Sequence, residues 1–238
     1  PLACLINGLP TAVSAAHPPH SATPNDSMVA ECIIQTIRNQ KTAEIPQLLA
    51  YAQLWLSVSG TEGRYATTKT PRKFWAKWRE EAFEEAHFKA VKNAALLPDQ
   101  RDALLRNRPA SVQKHFEGLW KVEQFVTDQD RLLISLLSKE RVIEFVRFFI
   151  LFDRKIGKVA ARYQQVFGIK ALIDRISNLR PDGGREGGVI WHTTGSGKSL
   201  TMVFVCKAFL LHPNLAECRI VVVTDRIDLE KQLSRTFL

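Results

Sequence analysis

Residues 188–211 read GVIWHTTGSGKSLTMVFVCKAFLL, and the organisation of the whole chain turns on how this stretch folds. Val189 to Trp191 is a short apolar run and predicts a strand. Thr193 to Gly197 is a loop of small residues, and Lys198 to Leu211 has the apolar periodicity of a helix. Strand, glycine loop and helix in that order are the context a phosphate-binding loop needs. Gly195 and Gly197 let the backbone turn tightly, so that successive N–H groups face phosphate oxygens at the start of the helix. Lys198 supplies a point charge to the β- and γ-phosphates, and the Ser199 hydroxyl can complete the coordination of Mg²⁺. The expected nucleotide-binding set is therefore Thr193, Thr194, Gly195, Ser196, Gly197, Lys198 and Ser199, with Ser199 also the metal ligand. The pattern G-x-x-x-x-G-K-[ST] is met at Gly197, Lys198 and Ser199, but His192 stands at its first position. A dinucleotide fold is disfavoured, because G-x-G-x-x-G would need a third glycine where Leu200 stands.

Working outward, RIVVVTDRIDLEKQL (219–233) gives a second, continuously apolar run from Ile220 to Val223. Such a run is typical of a parallel strand buried on both faces. Residues 188–225 are thus expected to form a right-handed β-α-β unit of a nucleoside-triphosphatase core. Upstream, Ala161-Arg162-Tyr163-Gln164 begins a helix. The Gln164 amide both donates and accepts and so can read an adenine edge, although a plain surface glutamine fits the sequence equally well.

The N-terminal part has a different texture. PLACLINGLP (1–10) predicts a short strand ending in a turn at Asn7-Gly8, while TAVSAAHPPHSATPNDS (11–27) has no charge until Asp26 and predicts an irregular loop. Ile45-Pro46 opens a predicted helix, and LWLSVS (54–59) predicts a strand stopped by Gly60. Phe74, Trp75, Trp78, Phe83 and Phe88, interleaved with charges, suit core packing better than base stacking. Glu80, Glu81, Glu84 and Glu85 are expected to form a solvated helix face. Residues 122–152 carry two apolar-periodic helices, the second being KERVIEFVRFFILF, and DRKIGK (153–158) is the preferred domain boundary.

The 238 residues carry 33 Lys+Arg and 24 Asp+Glu, a formal net charge of +9, with 45% apolar residues. Fourteen of the basic residues against seven acidic ones lie from Arg154 onward, against 19 and 17 before it. That asymmetry suits a polyanionic partner or a solvated basic face. No stretch reaches about 18 uninterrupted apolar residues, so no spanning helix is expected. No signal peptide is legible, and four cysteines without a C-x-x-C pair suit reduced thiols in the cytoplasm.

WHTTGSGKSLTM followed by RIVVVTDRIDLEKQL, with ARYQQ ahead, resembles the motor (R) subunit of type I restriction endonucleases, a group of superfamily 2 translocases. NGLP at 7–10, QTIRNQ at 35–40, IPQLLAYAQ at 45–53, SGTEGRYATT at 59–68, KFWAKWREE at 73–81 and RVIEFVRFFILFD at 141–153 agree with it. The resemblance implies an α/β chain in two parts. Residues 1–153 would be a degenerate PD-(D/E)XK nuclease-like domain, irregular over 11–28. Residues 154–238 would be the truncated start of a RecA-like P-loop ATPase domain. It further implies ATP and Mg²⁺ as cofactors, with Gln164 reading adenine and Lys198 and Ser199 holding the triphosphate and the metal. Thr224, Asp225 and Arg226 would touch the DNA backbone. The implied partners are double-stranded DNA and the methyltransferase and specificity subunits of the complex, with no membrane.

Two departures limit what the resemblance implies. The nuclease class holds Mg²⁺ with an Asp and then Glu-x-Lys, but Ala15 and His17 stand where Glu and Lys are expected, and the Asp position falls near Pro1. Gln35 matches a later glutamine of the family. A local frameshift or decay across 11–28 would account for this. The chain is also expected to lack the acidic strand-end motif and the second motor lobe needed for hydrolysis. Two other readings remain: a different superfamily 2 translocase or helicase fragment, and a non-catalytic remnant that docks on DNA or the methyltransferase.

Overall fold

The computed structural model describes residues 2–6, 9–17, 28–44, 46, 51–80, 84–153, 157–193, 195–215 and 217–223. A four-stranded sheet in the order β1-β2-β3-β4 organises the first third of the chain. Strands β1 (Leu2–Ile6) and β2 (Leu9–His17) are antiparallel, and β2 runs parallel to β3 (Leu54–Ser59). Strand β4 (Glu62–Ala66) then returns antiparallel to β3. A parallel pair needs a crossover, which α1 (Met28–Asn39) provides. The helix buries Val29, Ala30, Cys32, Ile33 and Thr36, residues spaced to share one face. Thr36 Oγ1 donates to Cys32 O (2.7 Å) and lies 3.3 Å from Ser57 Oγ, while Cys32 Sγ donates to Val58 O (3.4 Å). These bonds satisfy the small polar groups that α1 traps against β3.

Thr11 to His17 is therefore strand, where composition predicted an irregular loop. Its Ala and Ser residues are poor strand formers alone. Here Ala12, Val13 and Ser14 pair on both sides and are buried between β1, β3 and α1, while Ala15 and Ala16 pair with β3. Residues 18–27 lie outside the described residues, as do 47–50 of the predicted helix after Ile45.

A short 3-10 turn (Arg72–Phe74) follows the sheet, then α2 (Glu85–Lys92), α3 (Pro98–Leu105) and α4 (Ala110–Leu119). Trp75, Trp78 and Phe88 are buried as core residues, whereas Phe74 is exposed; Phe83 lies outside the described residues. Glu81 of the acidic run lies outside the described residues, and Glu80 and Glu85 do not share a helix face. Glu80 sits ahead of α2 and is closed against Arg141 (2.6 Å), while Glu85 opens α2 and pairs with Arg131 (3.1 Å).

Helices α5 (Asp128–Leu136) and α6 (Lys139–Phe148) follow, each capped at its start. The Thr127 backbone N–H donates to Asp130 Oδ2 (2.9 Å), and the Arg141 N–H donates to Ser138 Oγ (3.3 Å). The predicted helix KERVIEFVRFFILF stops at Phe148, and Ile150–Asp153 becomes β5, paired antiparallel with β6 (Gly157–Ala160). Helix α7 (Tyr163–Ser177) and helix α8 (Lys198–Leu211) complete the regular structure.

One core joins the sheet to these last helices. Tyr65, Trp78 and Phe145 meet edge to face with ring centres 5.8–6.0 Å apart, and Val166, Ile169, Phe204 and Ala208 pack in the same cluster. Tyr65 Oη donates to Ala161 O (2.8 Å), and burial holds the phenol far above its ordinary pKa. Packing is thus continuous across residue 153.

Candidate nucleotide site

Helix α7 forms one wall of the site. It starts where Gln165, three residues after Arg162, reaches back so that Oε1 accepts from the Arg162 N–H (2.8 Å). Helix α8 forms the floor and begins at Lys198, immediately after the glycine loop. Gly195 (φ +79°) and Gly197 (φ +89°) both lie in the left-handed region, which L-residues avoid. His192, at the position the motif usually gives to glycine, is not among the left-handed residues. A side chain is therefore tolerated there, and its ring lies against α7 near Gly168.

The loop is held by its own polar groups. Thr193 O accepts from the Ser196 N–H (3.3 Å), from Ser196 Oγ (2.7 Å) and from Lys198 Nζ (3.4 Å), and Lys198 Nζ also donates to His192 O (3.1 Å). The ammonium of Lys198 thus lies over the loop carbonyls while its side chain is exposed. Ser199 is half-buried in the first turn of α8. The backbone conformation at both glycines, the loop-facing lysine and the helix start behind it fit a nucleotide triphosphate with Mg²⁺.

The resemblance and the amide's chemistry pointed to Gln164, yet the side chain that grips the loop is its neighbour. Gln165 is buried, and its Nε2 donates to Gly197 O (3.2 Å) and to Thr201 Oγ1 (3.1 Å). A Cβ at residue 197 would stand 3.3 Å from that same nitrogen, so Gln165 and Gly197 are fitted to each other. Gln164, turned about 100° away on the helix, is exposed. It lines a groove of about 1040 Å³ with Tyr163, Phe167, Arg175, Trp191 and His192.

The strands expected on either side of the loop are not formed. Residues 189–191 and 220–223 are irregular and pair with no strand among the described residues, with Trp191 90% and Val221 80% exposed. A parallel strand is stable only when a hydrogen-bonded neighbour covers it, and none lies beside either run among the described residues. The β-α-β unit predicted for 188–225 is accordingly absent from the described residues. Thr194, Thr224, Asp225 and Arg226 lie outside them. Ala15 and His17 occupy β2 opposite Ser57 and Ser59 of β3, and Gln35 is exposed on α1.

Comparisons with known proteins bear on both halves. Residues 2–74 match the family described as type I restriction enzyme R protein N terminus, and residues 164–238 match the SWI2/SNF2 ATPase family. The type I restriction enzyme MjaIXP endonuclease subunit of Methanocaldococcus jannaschii is 29% identical over 99% of this chain. The type I restriction enzyme HindI endonuclease subunit of Haemophilus influenzae is 41% identical over 48% of it. The chain is similar to type I restriction enzyme endonuclease subunits along nearly its whole length. It spans 20% of the length of the MjaIXP subunit and 11% of the HindI subunit. The sheet lies in the part matched to the R protein N terminus, and the glycine loop lies in the part matched to the ATPase. No described helix is long and apolar enough to cross a membrane.

Proposed function

We propose that this chain is the ATP-binding, DNA-engaging N-terminal part of a type I restriction R subunit. Residues 1–153 would form a nuclease-like unit, and residues 154–238 would begin a RecA-like P-loop ATPase. The observation that carries the reading is the loop itself, in which two left-handed glycines and Lys198 are set at the start of α8. The two family matches, one on each side of residue 153, support the division. The β1-β2-α1-β3 arrangement supports a nuclease-like sheet.

In this account the N–H groups of Gly195 to Lys198 and the Lys198 ammonium bind the phosphates. Ser199 holds Mg²⁺, and Gln164 faces the adenine from the groove. Gln165 fixes the carbonyl of Gly197, so that the loop's N–H groups stay directed outward. Bound ATP would supply, by hydrolysis, the free energy for moving duplex DNA in the complete enzyme with its methyltransferase and specificity subunits. Thr224, Asp225 and Arg226 are proposed to contact the DNA backbone. Ala15 offers no metal ligand, and His17 cannot replace a fixed ammonium, so DNA cutting is not expected of this chain. Its place is the cytoplasm.

A second reading, a remnant that docks on DNA or the methyltransferase without nucleotide, is favoured by the bare apolar runs at 189–191 and 220–223. Titration with a fluorescent ATP analogue and Mg²⁺ separates the two. Saturable binding abolished by Lys198→Ala is the expected result. A folded chain that binds no analogue would favour the docking remnant.

A further inference from the structure

Between Glu62 and Glu80 the chain has six cations, Arg64, Lys69, Arg72, Lys73, Lys77 and Arg79, and no carboxylate. Such a run is usually a solvated loop, but this one is a pinned strap. Tyr65 and Ala76 exchange two backbone hydrogen bonds (2.9 and 3.0 Å), and Trp75 Nε1 donates to Thr70 O (3.1 Å). The Thr67 and Thr70 hydroxyls are 2.9 Å apart, and Trp55 Nε1 donates to Thr68 Oγ1 (3.3 Å). Trp75 and Trp78 are buried beneath, while Lys69, Arg72, Lys73 and Phe74 face outward. Lys73 Nζ lies 4.9 Å from the centre of the Phe74 ring.

The strap is also joined to the end of α1. The Lys69 N–H donates to Gln40 Oε1 (2.7 Å), and Gln40 Nε2 donates to Thr36 O (3.3 Å). That bond sets the exposed Arg38 and Lys41 beside the strap. Among the described residues, Glu44 lies 3.9 Å from Arg38 on this side, and the Lys77 end faces Glu62 at 3.8 Å. Cations thus outnumber carboxylates on a surface whose backbone is already ordered, so a rigid polyanion can bind without the entropy cost of ordering a loop.

We propose that Thr67–Trp75, together with the C-terminal end of α1, is a docking surface for the phosphate backbone of double-stranded DNA. Duplex DNA presents about one charge per 1.7 Å of axis, which suits lysines spread over a strap and an adjoining helix end. Contacts of this kind position the duplex and carry no sequence information. The surface is separate from the nucleotide loop. It relies on the function proposed above only for the identity of the polyanion.

The test is fluorescence anisotropy of the 238-residue chain with a labelled 30-base-pair duplex over a salt series. The strap variant is Lys41→Gln/Lys69→Asn/Lys73→Gln, where asparagine is chosen because residue 69 has φ +65° and asparagine tolerates that conformation. Three phosphate contacts at about 0.9 each predict a salt slope shallower by about 2.7, with the largest loss of affinity at low salt. The control variant Arg101→Gln/Arg106→Gln/Arg108→Gln, with three cations removed from the α3–α4 arm, is expected to retain nearly the wild-type slope. Circular dichroism verifies that both variants are folded. The proposal is overturned if wild type binds no duplex, if the strap variant keeps the wild-type slope, or if the arm variant loses as much. Because ATP-analogue binding is measured separately, failure here leaves the nucleotide reading standing.

Discussion

Two apolar runs of this chain meet opposite fates. Leu54–Ser59 is a strand with every residue buried, flanked by β2 and β4 and covered by α1. Ile220–Val223 is at least as rich in strand-forming residues, yet it is irregular and Val223 is 86% exposed. The contrast teaches that strand propensity is a fit to neighbours rather than a backbone property. The same lesson runs in reverse through β2, where Ala12 and Ser14 belong to a central strand because partners on both sides accept them. Helix α8 lies between these extremes. Thr201, Phe204 and Ala208 are buried, while Met202 and Leu210 on its other faces are exposed.

The comparison breaks most sharply at Trp55. Truncating this fully buried β3 side chain to alanine removes its packing and its bond to Thr68, and should cost about 3–5 kcal/mol in urea unfolding. Gly63→Ala tests the packing of β4, since a Cβ there would stand 2.5 Å from Leu132 Cδ2 on α5. Overpacking of this kind costs about 1–3 kcal/mol.

Tyr65→Phe removes the bond to Ala161 O and leaves a buried carbonyl unpaired, a loss of about 1–3 kcal/mol near neutral pH. It also changes the alkaline limb. Burial raises the folded-state pKa of Tyr65 above the ordinary 10.0. Its contribution is therefore complete below about pH 10 and declines above it, as the unfolded chain ionises first. The wild type should lose stability more steeply than the Phe variant above that pH in thermal melts. At the other end of the scale, Val221→Asp should change stability by no more than about 0.5 kcal/mol. A larger loss would mean that the run is covered in solution.

The same contrast decides what was legible in the sequence. The glycine loop, α8, the start of α7 and the strands at Leu2–Ile6 and Leu54–Ser59 follow from periodicity and turn chemistry, which are local. Strand β2 depends on β3, far along the chain, and the switch from helix to strand at Phe149 follows the nearby pairing with Gly157–Ala160, which no local pattern marks. At the site, Gln164 and Gln165 are indistinguishable by composition. Only the rotation of α7 sends one to the groove and the other to Gly197. The capping relation between Arg162 and Gln165 was the one available signal. The acidic run was misread because Arg141 and Arg131, which pair with Glu80 and Glu85, are about fifty residues away.

The glycine loop is proposed to be a working phosphate site although the apolar runs at 189–191 and 220–223 pair with no strand among the described residues. Amide hydrogen exchange with and without ATP and Mg²⁺ tests it at the residues concerned. The account predicts slower exchange in peptides spanning His192 to Thr201 when nucleotide is added, with peptides from β3 and β4 unchanged and the effect lost in Lys198→Ala. Unchanged exchange across 192–201 at saturating nucleotide, in a chain whose β3 amides remain protected, would contradict it.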